Sequence, residues 1–138
     1  MRFTLLLLTQ AQTTSNVSGG YLGRIDEDLN EEGVRQASRL ADRLSSWPIG
    51  KVCTSPLKRA RSTAEAVAHT HVLPSATVAE FTKIDISRWQ DMLGSQIAAA
   101  YADLWKSRRS NPANWRLRVL NERAICATKR KTVTHLNI

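Results

Sequence analysis

Ser55-Pro56-Leu57-Lys58-Arg59-Ala60-Arg61-Ser62-Thr63-Ala64 follows directly on a short extended segment at about residues 51–54 and reads as the start of a helix. Serine is a favoured cap, and proline suits the first helical position, where its missing N–H would have no partner anyway. Leu57, Ala60, Ala64, Val67 and Ala68 then recur at helical spacing and form an apolar stripe. Strand, turn and amphipathic helix in that order form the building unit of layered α/β folds.

Upstream, residues 3–8 are a leucine-rich apolar run, bounded by the polar, turn-prone stretch from Gln10 to Gly20, and are expected to form a buried strand. Asn30 is placed to cap a helix whose first turn holds Glu31 and Glu32, the charge that a helix start favours. Val34, Ala37, Leu40, Ala41 and Leu44 are expected on its inner face, and Trp47, Pro48 and Gly50 end the pattern. Downstream, an extended segment is expected near 76–81. A helix is expected over about 92–106, with Ile97, Ala100, Tyr101, Leu104 and Trp105 inward. Strands alternating with helices of this length predict a three-layer α/β/α domain with a mostly parallel sheet.

The 138 residues suit one hydrophobic core. The net charge of +8 predicts attraction to anions. Arg116, Arg118, Arg123, Lys129, Arg130 and Lys131 stand against Glu122 alone in the last 23 residues, so most of the excess lies in the tail. Cys53 and Cys126 lack metal-ligand spacing and read as reduced structural thiols. His69 and His71 have no cysteine or carboxylate cluster beside them and read as a solvated pair, so no metal is implied. Trp47, Trp89, Trp105 and Trp115 are scattered and read as packing or rim residues, and nucleic acid is not the expected partner. The leading apolar run is too short for a secretory signal and no run is long enough to span a membrane, so a cytoplasmic protein is the expectation.

Two stretches carry a family resemblance. Gly23-Arg24-Ile25-Asp26 through Gln36-Ala37, and Ser55 through Ala64, resemble the histidine phosphatase (phosphoglycerate mutase-like) superfamily. The resemblance covers about residues 3–124, leaving 125–138 as a basic tail or a truncated end; the family's final strand and helix have no counterpart. It implies a phosphate-handling site at the end of the first strand, with no cofactor.

By that resemblance Arg59 holds the transferred phosphoryl group from the first turn of its helix, where dipole and guanidinium act together. The alternative for Arg59 is a solvated basic face shared with Lys58 and Arg61. The family pattern Arg-His-Gly-x-Thr-x-x-Asn falls on Thr9-Gln10-Ala11-Gln12-Thr13-Thr14-Ser15-Asn16. Thr13 and Asn16 match, while the nucleophilic histidine is replaced by Gln10 and the arginine by Thr9. An amide nitrogen has a delocalised lone pair and forms no phosphoramidate, and a hydroxyl does not replace a bidentate cation. Gly23 would offer a backbone contact to phosphate.

The family's acid-bearing stretch aligns with Lys83-Ile84-Asp85-Ile86-Ser87-Arg88-Trp89-Gln90-Asp91, in the register set by Asp85 and Trp89. Lys83 then stands at the acid position, where an ordinary lysine is a poor proton donor near pH 7 but adds a cation. Glu80 or Asp85 would replace it only if the loop shifted. Val133-Thr134-His135 partly echoes the strand that carries the family's second histidine, which makes His135 a candidate for the pocket. Three readings follow. The first is a catalytically impaired domain binding phosphate or a phosphorylated small molecule through Arg59, Asn16, Thr9, Thr13 and Gly23. The second is an active phosphomonoesterase or mutase with a replacement base. The third is a non-enzymatic truncated product or basic interaction module.

Overall fold

A computed structural model describes residues 4–83, 86–110 and 132–136. The elements run β1 (Thr4–Leu8), α1 (Thr14–Ser18), α2 (Glu31–Leu44), β2 (Val52–Thr54), α3 (Lys58–Thr70), β3 (Ser75–Thr77), α4 (Gly94–Ala100), α5 (Ala102–Ser110) and β4 (Thr132–Leu136), with 3-10 turns at Ala79–Phe81 and Ser87–Trp89. Both described strand pairings are parallel. β1 lies beside β4 from Thr4↔Thr132 to Leu8↔Leu136, and β2 lies beside β3 from Val52↔Ser75 to Thr54↔Thr77. The expected α/β class with parallel strands is present.

The core forms where α2 and α3 pack on each other: Leu40, Ala41, Leu44 and Val67 are buried together, with Leu6, Ile49 and Ala66 against them. Two expectations of burial are corrected here. In β1 Leu6 faces this core, while Leu5 and Leu7 on the opposite side stay 38% and 42% exposed and Leu8, on the side of Leu6 but at the strand's end, is 38% exposed. Alternate strand residues face opposite ways, and α2 and α3 cover one side. Val34 is 59% exposed because the buried stripe of α2 runs through Gly33, Ala37, Leu40, Ala41 and Leu44 instead.

Gly33 explains that choice of stripe. A Cβ there would penetrate the backbone carbonyl of Gln12, so glycine lets the first turn of α2 lie directly on the loop after β1. Asn30 caps α2 by accepting from Gly33 N at 2.8 Å, and its own N–H donates to Gln12 O at 3.1 Å. Gly33→Ala is expected to destabilise the fold by about 1–3 kcal/mol despite alanine's better helix propensity, because the obstacle is pinned backbone. Thermal denaturation of the variant measures it; a rise in Tm would show that the contact has slack.

Other boundaries moved. α3 starts at Lys58, with Leu57 in the cap position, not at Pro56 with Ser55 as cap; the Ser55 hydroxyl accepts only a 3.4 Å bond from Leu57 N. Asp26, 32 residues upstream, accepts from Lys58 N at 2.7 Å. A carboxylate brought in by the tertiary fold thus does the local serine's work. The extended segment expected over 76–81 is β3 followed by a 3-10 turn. The long helix expected over 92–106 breaks at Tyr101, with neither glycine nor proline to mark it. Ile97 is fully buried, Ala100 is exposed, and the side chain of Leu104 lies outside the described residues. Trp89 is buried against Tyr101 and Trp105, whose ring centroids lie 6.4 and 6.3 Å away.

Candidate functional site

Arg59, in the first turn of α3, is 3% exposed. Its Nη1 donates to the Ile25 carbonyl at 2.5 Å and its Nη2 to the Gly23 carbonyl at 2.9 Å. The guanidinium therefore fastens the loop that leads into α2, and its other N–H groups make no hydrogen bond among the described residues. Burial pushes its pKa down and the nearby Asp26 and Glu27 push it up; an arginine remains charged under either influence.

Gly23 makes the fastening possible. Its φ of +50° lies in the left-handed region, and a Cβ would run into the side chain of Ile86. Asp28 adds a second tie, its Oδ1 accepting from the Ser62 hydroxyl at 2.8 Å. That bond and then the Leu29 amide lower the Asp28 pKa; burial opposes them, and Lys58 and Arg61 lower it further. A carboxyl with a depressed folded pKa stabilises the fold above its unfolded pKa, and that contribution is lost as pH falls through the folded value. Wild type is therefore expected to be more stable than Asp28→Ala by less than about 1 kcal/mol at pH 7, solvent screening keeping the figure low. The gap should close below about pH 4. Paired thermal melts at pH 7 and pH 3 check this; a gap that persists in acid would assign it to packing.

Gln10 follows β1 by two residues and is half-buried. The three amides after it are each held by a side chain from a different helix. Ala11 N donates to Thr63 Oγ1 at 3.0 Å, Gln12 N to Gln36 Oε1 at 2.9 Å, and Thr13 N to Asn16 Oδ1 at 3.1 Å. Gln12 is also gripped through its side chain, Asn30 Nδ2 donating to Gln12 Oε1 at 3.1 Å.

These elements enclose a cavity of about 250 Å³. Gln10, Asn16, Arg59 and Lys83 supply its polar lining, Tyr21, Leu22 and Ile86 its apolar wall, and Gly19, Gly20 and Gly23 the closest backbone. Among the described residues the lining holds two cations and no carboxylate. Tyr21 is braced edge-on by Trp105 at 5.9 Å between ring centroids, and its backbone pairs with Asp91 and Met92.

Five residues singled out from the sequence therefore meet in one cavity: Gln10, Asn16, Gly23, Arg59 and Lys83. Thr9 is exposed and Thr13 fully buried, and neither lines it. Thr13 instead caps α1, with its hydroxyl and amide on Asn16. Glu80 is exposed in a 3-10 turn away from the cavity, and Asp85 lies outside the described residues. His135 stands in β4 with its backbone beside Leu7; its side chain is outside the described residues, as are Cys126 and Trp115. Thr63, Tyr21, Leu22 and Ile86 were not anticipated. For Thr63 a signal existed, since four residues after Arg59 on a helix is the same face.

A parallel α/β fold with an arginine-bearing cavity beyond β1 is the phosphoglycerate mutase-like class. The sequence profile of the histidine phosphatase superfamily (branch 1) matches residues 5–133, and the chain belongs to that family. It is 33% identical over 99 residues to phosphoserine phosphatase 1 of Hydrogenobacter thermophilus, covering 72% of this chain and 47% of that protein. Against the adenosylcobalamin/alpha-ribazole phosphatase of Salmonella typhimurium it is 33% identical over 86 residues, 62% of this chain and 43% of the relative. A mycobacterial glucosyl-3-phosphoglycerate phosphatase solved with VO3 superposes with a TM-score of 0.72 at 26% identity, covering 79% of this chain and 52% of that one. The chain thus spans about half the length of the relatives it matches. Among the described residues no helix is long and apolar enough to cross a membrane.

Proposed function

We propose that the chain, with β4 beside β1 as part of its sheet, forms a histidine phosphatase-type domain that binds phosphate or a small phosphorylated molecule weakly and does not turn it over. One observation carries the reading: Gln10 and Arg59 line the same cavity, so the frame of a phosphoryl site stands with an amide where the attacking imidazole belongs. Arg59, with N–H groups to give beyond its two loop contacts, is the principal anion ligand. Asn16 and Gln10 donate from their amides, Gly23 shapes the approach, and Lys83 adds charge where the family places an acid. Thr13 acts indirectly, by holding Asn16, and Thr9 marks the missing second guanidinium.

Two charge-assisted hydrogen bonds to an exchangeable anion are worth about 4 kcal/mol, a dissociation constant of about 1 mM. Titration of the protein with inorganic phosphate and with phosphoserine, followed by amide chemical shifts, is expected to move signals at residues 10–23 and 59. Failure of both ligands to perturb that cavity at 20 mM (about twentyfold above the expected constant) would remove the proposal.

A second reading draws on the parallel pairing of β4 with β1, which sets the His135 backbone beside Leu7. There His135 would act as a replacement base in an active enzyme. Under that reading His135→Ala abolishes a measurable phosphatase activity; under the first there is none to abolish.

A further inference from the structure

We propose that Thr63 is the positioning residue of this site, one hydroxyl that sets the residue at position 10 and the Arg59 guanidinium against each other. Thr63 is 4% exposed. Its hydroxyl donates to the Arg59 carbonyl at 2.7 Å and accepts from Ala11 N at 3.0 Å, across 52 positions of sequence. A threonine inside a helix often turns its hydroxyl back to the carbonyl four residues earlier, a local habit without tertiary consequence. Here the proton's commitment to Arg59 aims an oxygen lone pair at the loop after β1. Gln36 and Asn16 hold the next two amides, but both sit on other helices, and among the described residues neither side chain is hydrogen-bonded to the helix that carries Arg59. Thr63 does both.

The arrangement has a consequence for the ligand. The amides of Ala11, Gln12 and Thr13 are all engaged and are not donors for an anion. The side chains of Gln10 and Arg59 then meet the charge, and their relative placement depends on the clamp. The inference rests on the proposed function for the site's purpose, but the coupling itself is read without any ligand.

Amide hydrogen exchange on the full chain tests it, in wild type, Thr63→Val and Thr63→Ser. In wild type the Ala11 amide should exchange as slowly as those of Val67 and Ala68, buried on the same helix. Thr63→Val removes the acceptor and keeps the shape, and should speed Ala11 exchange by about tenfold relative to Val67 and Ala68, the worth of one hydrogen bond. Thr63→Ser should restore it. Equal acceleration at all three positions would mean that the hydroxyl adds only global stability, and the proposal falls. An unprotected Ala11 amide in wild type overturns it before any variant is made, including the case where Thr63→Val does not fold. Inorganic phosphate titrated into the same samples separates the two ideas. Wild type that ignores phosphate removes the proposed function while the exchange data still judge Thr63. Phosphate binding that is unchanged in a loosened Thr63→Val shows that the clamp does not set the anion site, and overturns the inference alone.

Discussion

Purified protein is expected to hydrolyse p-nitrophenyl phosphate and phosphoserine about 10⁶-fold more slowly than an active member of the family, the scale of loss when a covalent nucleophile is removed. The cause lies in one atom. An imidazole nitrogen has an in-plane lone pair to form an N–P bond, whereas the Gln10 amide nitrogen shares its pair with the carbonyl. Lys83 compounds the deficit under the same reading, since an ammonium is a weaker proton donor than the carboxylic acid it would replace. Phosphate release and a search for an acid-labile phosphoenzyme are the measurements. Turnover within the usual enzyme range of about 1–10³ s⁻¹ would refute the impaired reading outright. Gln10→His provides the converse. Its imidazole would form the N–P bond as the P–O bond of p-nitrophenyl phosphate breaks, and p-nitrophenolate leaves with the electron pair and needs no proton. A labelled histidine in that variant, and none in wild type, is the expected pair of results.

Arg59→Met should both unfasten the loop that leads into α2 and remove the buried guanidinium from the cavity. Methionine keeps most of the apolar stem but cannot reach the carbonyls of Gly23 and Ile25 as a donor. Each lost bond to a charged donor is worth about 1.5–3 kcal/mol, less what water recovers, so a net loss of about 3 kcal/mol is expected. For a domain of this size that lowers Tm by about 10 °C. Phosphate-induced shifts should vanish in the same variant. Arg59→Lys should retain part of the anion response and little of the loop stability, because an ammonium has charge without the planar fork. A Tm within about a degree of wild type would mean that the two carbonyl bonds add nothing to stability.

Much of the architecture was legible because periodicity reports burial. The apolar stripes of α2 and α3 and the alternation of strands with helices placed the class, and the match from Ser55 to Ala64 placed Arg59. Errors collected where a distant group overrode a local signal. Ser55-Pro56 is a sound helix start taken alone, but Asp26 caps the amide of Lys58 and the helix begins there. Val34 fits an inward face by spacing, but Gly33 needs that face for its contact with Gln12. Leu5 and Leu7 look like core from composition, yet α2 and α3 cover only the other side of β1.

The site divides in the same way. That position 10 offers an amide and position 83 an ammonium is a matter of residue identity, readable in the linear chain because covalent structure does not depend on folding. Which residues share a cavity is a matter of distance between positions far apart in sequence, and only the folded molecule brings Gln10, Asn16, Gly23, Arg59 and Lys83 to one surface. The fold alone also turned Thr13 inward as a cap, gave Arg59 its two carbonyls and joined Thr63 to Ala11. Hydrogen bonds are directional and short, so their partners are chosen by tertiary packing, which no spacing rule encodes.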